Sequence, residues 1–165
     1  MHTLLITAIV VGLQAPAPAP AQAPPPAAKP FALTLALDAA QAALASCQAA
    51  GAPAVVEVMD AAFNPKVILV ADGARANLVE FARRKAYTVI KKGMSSGEFG
   101  ASVGPQGRGA PPIEGDANLI TFAGALPIKM GDDIVAALSV SGPKGAAADE
   151  LCAKAGLEKI RDRLQ

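Results

Sequence analysis

The segment LITFAGALPIKMGDDIVAALSVSG, Leu119–Gly142, decides the fold. Leu119–Phe122 reads as a strand and Ala123–Ala125 as a small-residue corner. In the next arm Leu126, Ile128 and Met130 alternate with Pro127 and Lys129, the period of a half-buried strand. Gly131-Asp132 suits a two-residue turn with glycine first. The returning arm, Ile134–Val140, is nearly all apolar, as expected of a strand covered on both faces. Ser141-Gly142-Pro143 stops it and predicts a helix start, with Ser141 as cap.

Working outward, the upstream chain supplies elements to cover such a sheet. Thr34 predicts the cap of a helix running to about Ala50, stopped by Gly51 and Pro53, with Leu37, Ala40, Leu44 and Cys47 on one stripe. Ala54–Met59 and Lys66–Ala71 read as a hairpin whose loop starts at Asp60, and Asp72-Gly73 ends it. A second helix opens on Asn77 and Glu80, an Asn form of the capping box, and closes at Gly93. Leu78, Val79, Ala82, Ala86, Val89 and Ile90 fall on its inner face, while Glu80, Arg83, Arg84, Tyr87 and Lys91 fall on the other. The chain's one tyrosine is therefore expected to face away from the core among three cations. Residues 95–118 hold six glycines and three prolines and read as a lid, a binding loop, an oligomer arm or a surface insertion. A last helix, Ala146–Leu164, has Asp149 and Glu150 in its first turns and Lys159, Arg161 and Arg163 in its last, the order its dipole favours.

The chain of 165 residues is 52% apolar and 18% charged, enough for one domain with a real core. A net charge of +1 gives no electrostatic drive toward nucleic acid, and no nucleic-acid partner is expected. Leu4–Leu13 has the length of a signal-peptide core and Ala21-Gln22-Ala23 resembles a cleavage site, against the reading of a poorly ordered tail. The expected division is a signal peptide over 1–23, an Ala/Pro-rich linker over 24–32 and one domain over 33–165, in a periplasmic or secreted protein. The sole histidine, His2, falls in that signal. The mature chain then has no Ser-His-Asp triad, no histidine zinc site and no histidine ligand for haem. Cys47 and Cys152 allow one intramolecular disulfide joining the first helix to the last, or two buried free thiols.

The order helix, hairpin, a helix carrying Lys85-Ala86-Tyr87-Thr88, a Gly-rich connection, Leu126-Pro127-Ile128 and Val140-Ser141-Gly142 before a closing helix resembles the GlcG/HbpS-like haem-binding family. Asp60 and Asp72-Gly73 also sit where that family has its Asp-rich hairpin ends. The chain departs from the family's pattern at Ala123-Gly124-Ala125, at Ala136 and Ser139, and in the turn after Asp60. The resemblance implies an α+β fold, a five-stranded antiparallel sheet flanked by helices in profilin-like layering, with symmetric homo-oligomers. It also implies haem or a related tetrapyrrole as cofactor. Tyr87 is then the first candidate for the iron, with Met94, Met59, Met130 or a free cysteine behind it. Arg83, Arg84 and Lys91 are candidates for the propionates. A solvated helix face, an oligomer contact and a gap-filling methionine are the plainer readings of the same residues.

Two functions follow from this. One is an exported, non-enzymatic haem binder for carriage, storage or sensing, with a membrane sensor or transport partner. The other is an enzyme acting on a small organic acid or cofactor, with Asp60, Asp72 or Lys85 as acid/base. An oligomeric structural scaffold is a third, weaker expectation.

Overall fold

The computed structural model describes residues 30–104 and 113–164. The expected signal peptide, its cleavage site and the linker up to residue 29 lie outside the described residues. So does the part of the Gly-rich stretch over 105–112.

The elements run α1 (Leu33–Ala49), β1 (Val55–Asp60), β2 (Pro65–Val70), α2 (Asn77–Lys92), α3 (Ser96–Ser102), β3 (Ala125–Met130), β4 (Asp133–Ser141) and α4 (Ala146–Ile160), then a 3₁₀ turn over Arg161–Arg163. The strands form one antiparallel sheet in the order β2-β1-β4-β3. The sheet has four strands rather than five, because Leu119–Phe122 joins no strand; it lies across the outer side of α2 as a strap, where Arg84 reaches the Leu119 carbonyl at 2.7 Å and Thr88 accepts from the Ile120 amide at 3.0 Å.

Alternation on β1 and β4 divides the sheet into two faces. Val56, Val58, Leu138 and Val140 meet α1 and α4, with Ala36, Ala39, Ala40, Ala43, Ala153 and Ile160. Alanines, not the expected Leu37, make the buried stripe of α1; Leu37 is exposed. Small side chains let the helices approach closely. A Cβ on Gly156 would lie 2.5 Å from the Ala39 carbonyl, so this crossing needs glycine. Cys47 and Cys152 are joined, with Cα atoms 5.5 Å apart, and Arg163 meets Asp38 at 2.8 Å, fixing α1 and α4 antiparallel.

Val55, Met59, Ala125 and Ala137 face α2, against Leu78, Ala82, Ala86 and Val89. Three helix starts differ from expectation. The residue before α1 is Ala32 and that before α2 is Ala76, neither with a side-chain cap, so Thr34 and Asn77 already lie inside their helices. Ser141 is still strand, and α4 begins after Gly145. The Gly-rich stretch contains a helix instead: Ser95 and Glu98 form a full capping box for α3.

Candidate functional site

The polar groups of the domain gather on the α2 side, in two places. The first is the Tyr87 flank. Its ring lies 5.1 Å from Phe63 and its hydroxyl donates to Asp116 Oδ2 at 2.8 Å. That bond is the main reason the phenol is held above its ordinary pKa, while Asp116, held first by the Asn118 amide and then by Tyr87, is pushed down. Phe63 (φ 65°) and Glu114 (φ 50°) are the two non-glycine residues with left-handed backbone among the described residues. One stacks on Tyr87 and the other sits two positions before its hydrogen-bond partner. For residues of this bulk that conformation is strained, and such strain marks sites where the surroundings impose it.

The five residues expected around a bound group separate here. Tyr87 is half-buried, not turned freely outward, because α3 and the strap cover that side of α2. Arg84 turns inward to the Leu119 carbonyl, and its Nε is buried with no hydrogen-bond partner among the described residues. Arg83 pairs with Glu80 at 2.9 Å and reaches Asn118 at 3.0 Å, with 41% of its side chain exposed. Lys91 is exposed and close enough to Asp116 to lower its carboxyl. Met94 is exposed after the left-handed Gly93 that ends α2. Among the other sulfur candidates, Met59 is buried under α2 and both cysteines are spent in the disulfide.

Beside this flank, edge strand β2 leaves an apolar shelf. Ile68 pairs with Glu57 and Val70 with Val55, so both lie on the α2 side, yet α2 sits over β1 and β4 and leaves them 45% and 54% exposed. Phe63, in the turn that leads into β2, is likewise 41% exposed and lies against Tyr87, so the β2 edge presents three exposed apolar side chains on or near the Tyr87 flank. Under the strip's inner edge, Glu57 is fully buried, and neither its carboxyl oxygens nor the hydroxyl of its register partner Ser139 finds a partner among the described residues. Burial lifts Glu57 to about 7, with Arg83 pulling it down and Glu80 pushing it up.

The second place is a cleft of about 320 Å³ at the other end of α2, between that helix's first turn, the start of α4 and Phe122. Lys85 lies at its floor, 2% exposed, donating to Asp149 Oδ2 at 2.7 Å and to the Val140 carbonyl at 2.9 Å. Burial pulls the lysine down and the aspartate up, and their mutual attraction opposes both. Gly124 closes over the pair at φ 126°; a Cβ there would lie 2.8 Å from the Lys85 nitrogen. The other expected acid/base residues are elsewhere. Asp60 is engaged in its own turn by the Ala62 and Asn64 amides at 2.9 Å, and Asp72 is exposed.

A four-stranded antiparallel sheet with α1 and α4 on one face and α2 on the other, bearing a strained tyrosine flank, defines an α+β domain. The family model described as "Haem degrading protein HbpS-like" matches residues 31–158, and the chain belongs to that family. Its fold is similar to that of HbpS (28% identity over 80% of this chain and 91% of that one, TM-score 0.72). It is also similar to a double mutant of Streptomyces reticuli HbpS (27%, 87% and 97%, 0.72). The crystallised PduOC–haem complex shares the fold at 21% identity, over 80% and 96% of the chains, with a TM-score of 0.71. No curated protein matches the chain.

Proposed function

We propose that this chain is an exported, non-enzymatic binder of haem or a related tetrapyrrole, held on the shelf between β2 and the Tyr87 flank of α2. The observation that carries the reading is the Tyr87 constellation, a phenol oriented by Asp116 and set against the strained Phe63, at the edge of an exposed apolar strip. The crystallised haem complex of PduOC supports the ligand class.

The residues fit the group in part. Phe63, Ile68 and Val70 suit one face of a macrocycle, and Arg83 and Lys91 suit its propionates. Tyr87 fits less well as an iron ligand, because its hydroxyl is held protonated on Asp116. Tyrosine ligates haem as the phenolate, so the phenol must first surrender that bond; a weak or absent axial ligand from the protein is the expected result. When bound, haem supplies the redox and ligand chemistry of its iron. The chain's part is to shield one face, neutralise carboxylates and position the phenol.

The shelf is open, and a second copy covering Ile68 and Val70 would exclude water from the other face, so a homo-oligomer belongs to this reading. A periplasmic or secreted location, with a membrane sensor or transport partner, follows the sequence-level expectation and is supported by the disulfide, which persists in oxidising compartments.

A haemin titration of residues 31–165, followed in the Soret region with Tyr87→Phe in parallel, tests the proposal. Saturation is expected, with at most a small shift of the band in the variant. Saturation indifferent to Tyr87 leaves the macrocycle on the shelf without the phenol, and absence of saturation overturns the reading.

A further inference from the structure

We propose that the cleft between the first turns of α2 and α4 binds a small apolar carboxylate, its charge met by Lys85 and Arg75 and its body by Phe81 and Phe122. This goes beyond the haem reading and does not depend on it: α2 lines the cleft with Asn77, Leu78, Phe81 and Lys85, and Tyr87 is not among the lining residues.

The size sets the first limit. At about 320 Å³ the cleft stands at the lower end of small-molecule sites, too confined for a macrocycle and adequate for a compact organic acid. Its lining sets the second. Leu78, Phe81 and Phe122 supply apolar wall; the two rings meet edge to face, centroids 6.2 Å apart, with Phe122 44% exposed. An edge-to-face pair with one ring open to solvent presents both a flat surface and a rim for a third apolar group.

The electrostatics set the sign. Arg75 stands exposed at the mouth, and Lys85 at the floor keeps one N–H direction beyond its two acceptors, Asp149 and the Val140 carbonyl. Asp149 neutralises one of these two cations, which leaves the cleft with a net positive charge. Two helices of 16 and 15 residues begin at its wall without a side-chain cap, and their positive ends add to that field, offset in part by Glu80 and Asp149 in their first turns. A burial of charge this deep is weak as a stabilising device, since desolvation offsets most of the attraction between the partners. At the floor of an apolar cleft it has a second use: a preorganised cation whose field acts on a carboxylate in the cleft, while Arg75 at the mouth meets that carboxylate directly.

Benzoate is the probe. In the 15N-labelled full chain, titrated benzoate should shift the amides of Asn77, Gly142 and Ala146 saturably, and leave those of Phe63 and Asp116 beside the Tyr87 ring still. Arg75→Gln, a surface change that spares the floor, should weaken the apparent affinity about tenfold, the effect of losing one charge-assisted contact. Phe122→Ala should weaken it as well. Benzamide, the neutral analogue of the same shape, should fail, and inorganic phosphate, charged but without an apolar body, should bind more weakly than benzoate. No saturable shift with benzoate, equal binding of benzamide, equal or tighter binding of phosphate, or unchanged affinity in Arg75→Gln would each overturn the proposal. Because haemin binding is read at Tyr87 by its own absorption band, failure of either proposal is distinguishable from failure of the other.

Discussion

The two faces of the sheet are built by opposite rules. The face under α1 and α4 is dry: alanine, valine, leucine and isoleucine, crossed by a disulfide. The face under α2 carries Glu57, Ser139, Ser141, Lys85 and Thr88, all buried. Small residues and a covalent tie make the first face stable by exclusion of water and by restricting the unfolded chain. The second holds polar groups that cost stability unless each is paired, and Glu57 and Ser139 are not paired among the described residues. A domain that spends stability on one face needs a reserve on the other, and both candidate sites lie on the costly side.

The sharpest way to break the comparison is to weaken the dry face. Cys47 and Cys152 are separated by 105 positions, and replacing both with alanine should cost about 5 kcal/mol in the loop-entropy account. Denaturant titration of the variant, and of the native chain with and without reductant, measures it; a loss under 1 kcal/mol would mean that alanine packing alone holds α1 on α4. On the other face, Lys85→Met should cost about 3 kcal/mol, since it leaves Asp149 buried without its cation. The double variant Lys85→Met with Asp149→Leu should recover most of that loss, because an apolar pair replaces an ionic one. If it does not, the ion pair contributes net stability and the two faces differ less in what their packing costs.

Glu57 sharpens the same contrast through pH. Its carboxyl is raised from 4.5 to about 7 by burial. Between those values the native state keeps a proton that the unfolded chain has lost, so stability falls as pH rises through that window, and the full penalty applies above it. Glu57→Gln removes the penalty. It should leave stability near pH 4 almost unchanged, flatten the curve, and raise stability at pH 9 by about 1–3 kcal/mol. Thermal unfolding across that range checks it; parallel curves for the two proteins would mean that the carboxyl finds a partner in solution.

These contrasts were unevenly legible in the sequence. The two hairpins could be read because alternation and turn residues agree, and Gly131 takes up φ 64° in the expected turn. Leu119–Phe122 could not, because three apolar residues and a threonine fit a strand and a strap over a helix equally well. The capping box at Ser95 and Glu98 was visible, but Gly97 and Gly100 argue against a helix, and only packing explains them: a Cβ on Gly100 would lie 2.1 Å from the Thr121 carbonyl. The same strap hid the character of α2. Amphipathicity assumes one buried side, and this helix has two, which is why Arg84 points inward and Tyr87 is half covered. Glu57 had left a signal of its own: alternation places it between Val55 and Met59 on one face, a charge at an apolar position.

The smallest expected effect on stability is the most informative about function. Tyr87→Phe keeps the ring against Phe63 and removes only the hydroxyl on Asp116, so unfolding should shift by no more than about 1 kcal/mol. A larger loss would make the phenol a structural clasp that fixes the turn at Asp116, and the strain at Phe63 and Glu114 would then serve the fold. A small loss, with altered haemin absorption, would separate the two roles, because a group that contributes little to folding yet is held by strained neighbours is being held for something outside the fold. The pH dependence adds an independent reading. Since the phenol is held above its ordinary value, any phenolate contribution to the haemin spectrum should grow with rising pH in the native chain and be missing in Tyr87→Phe. A spectrum that does not change with pH in either protein would assign the tetrapyrrole to the shelf without Tyr87, held by Phe63, Ile68 and Val70 through its face alone.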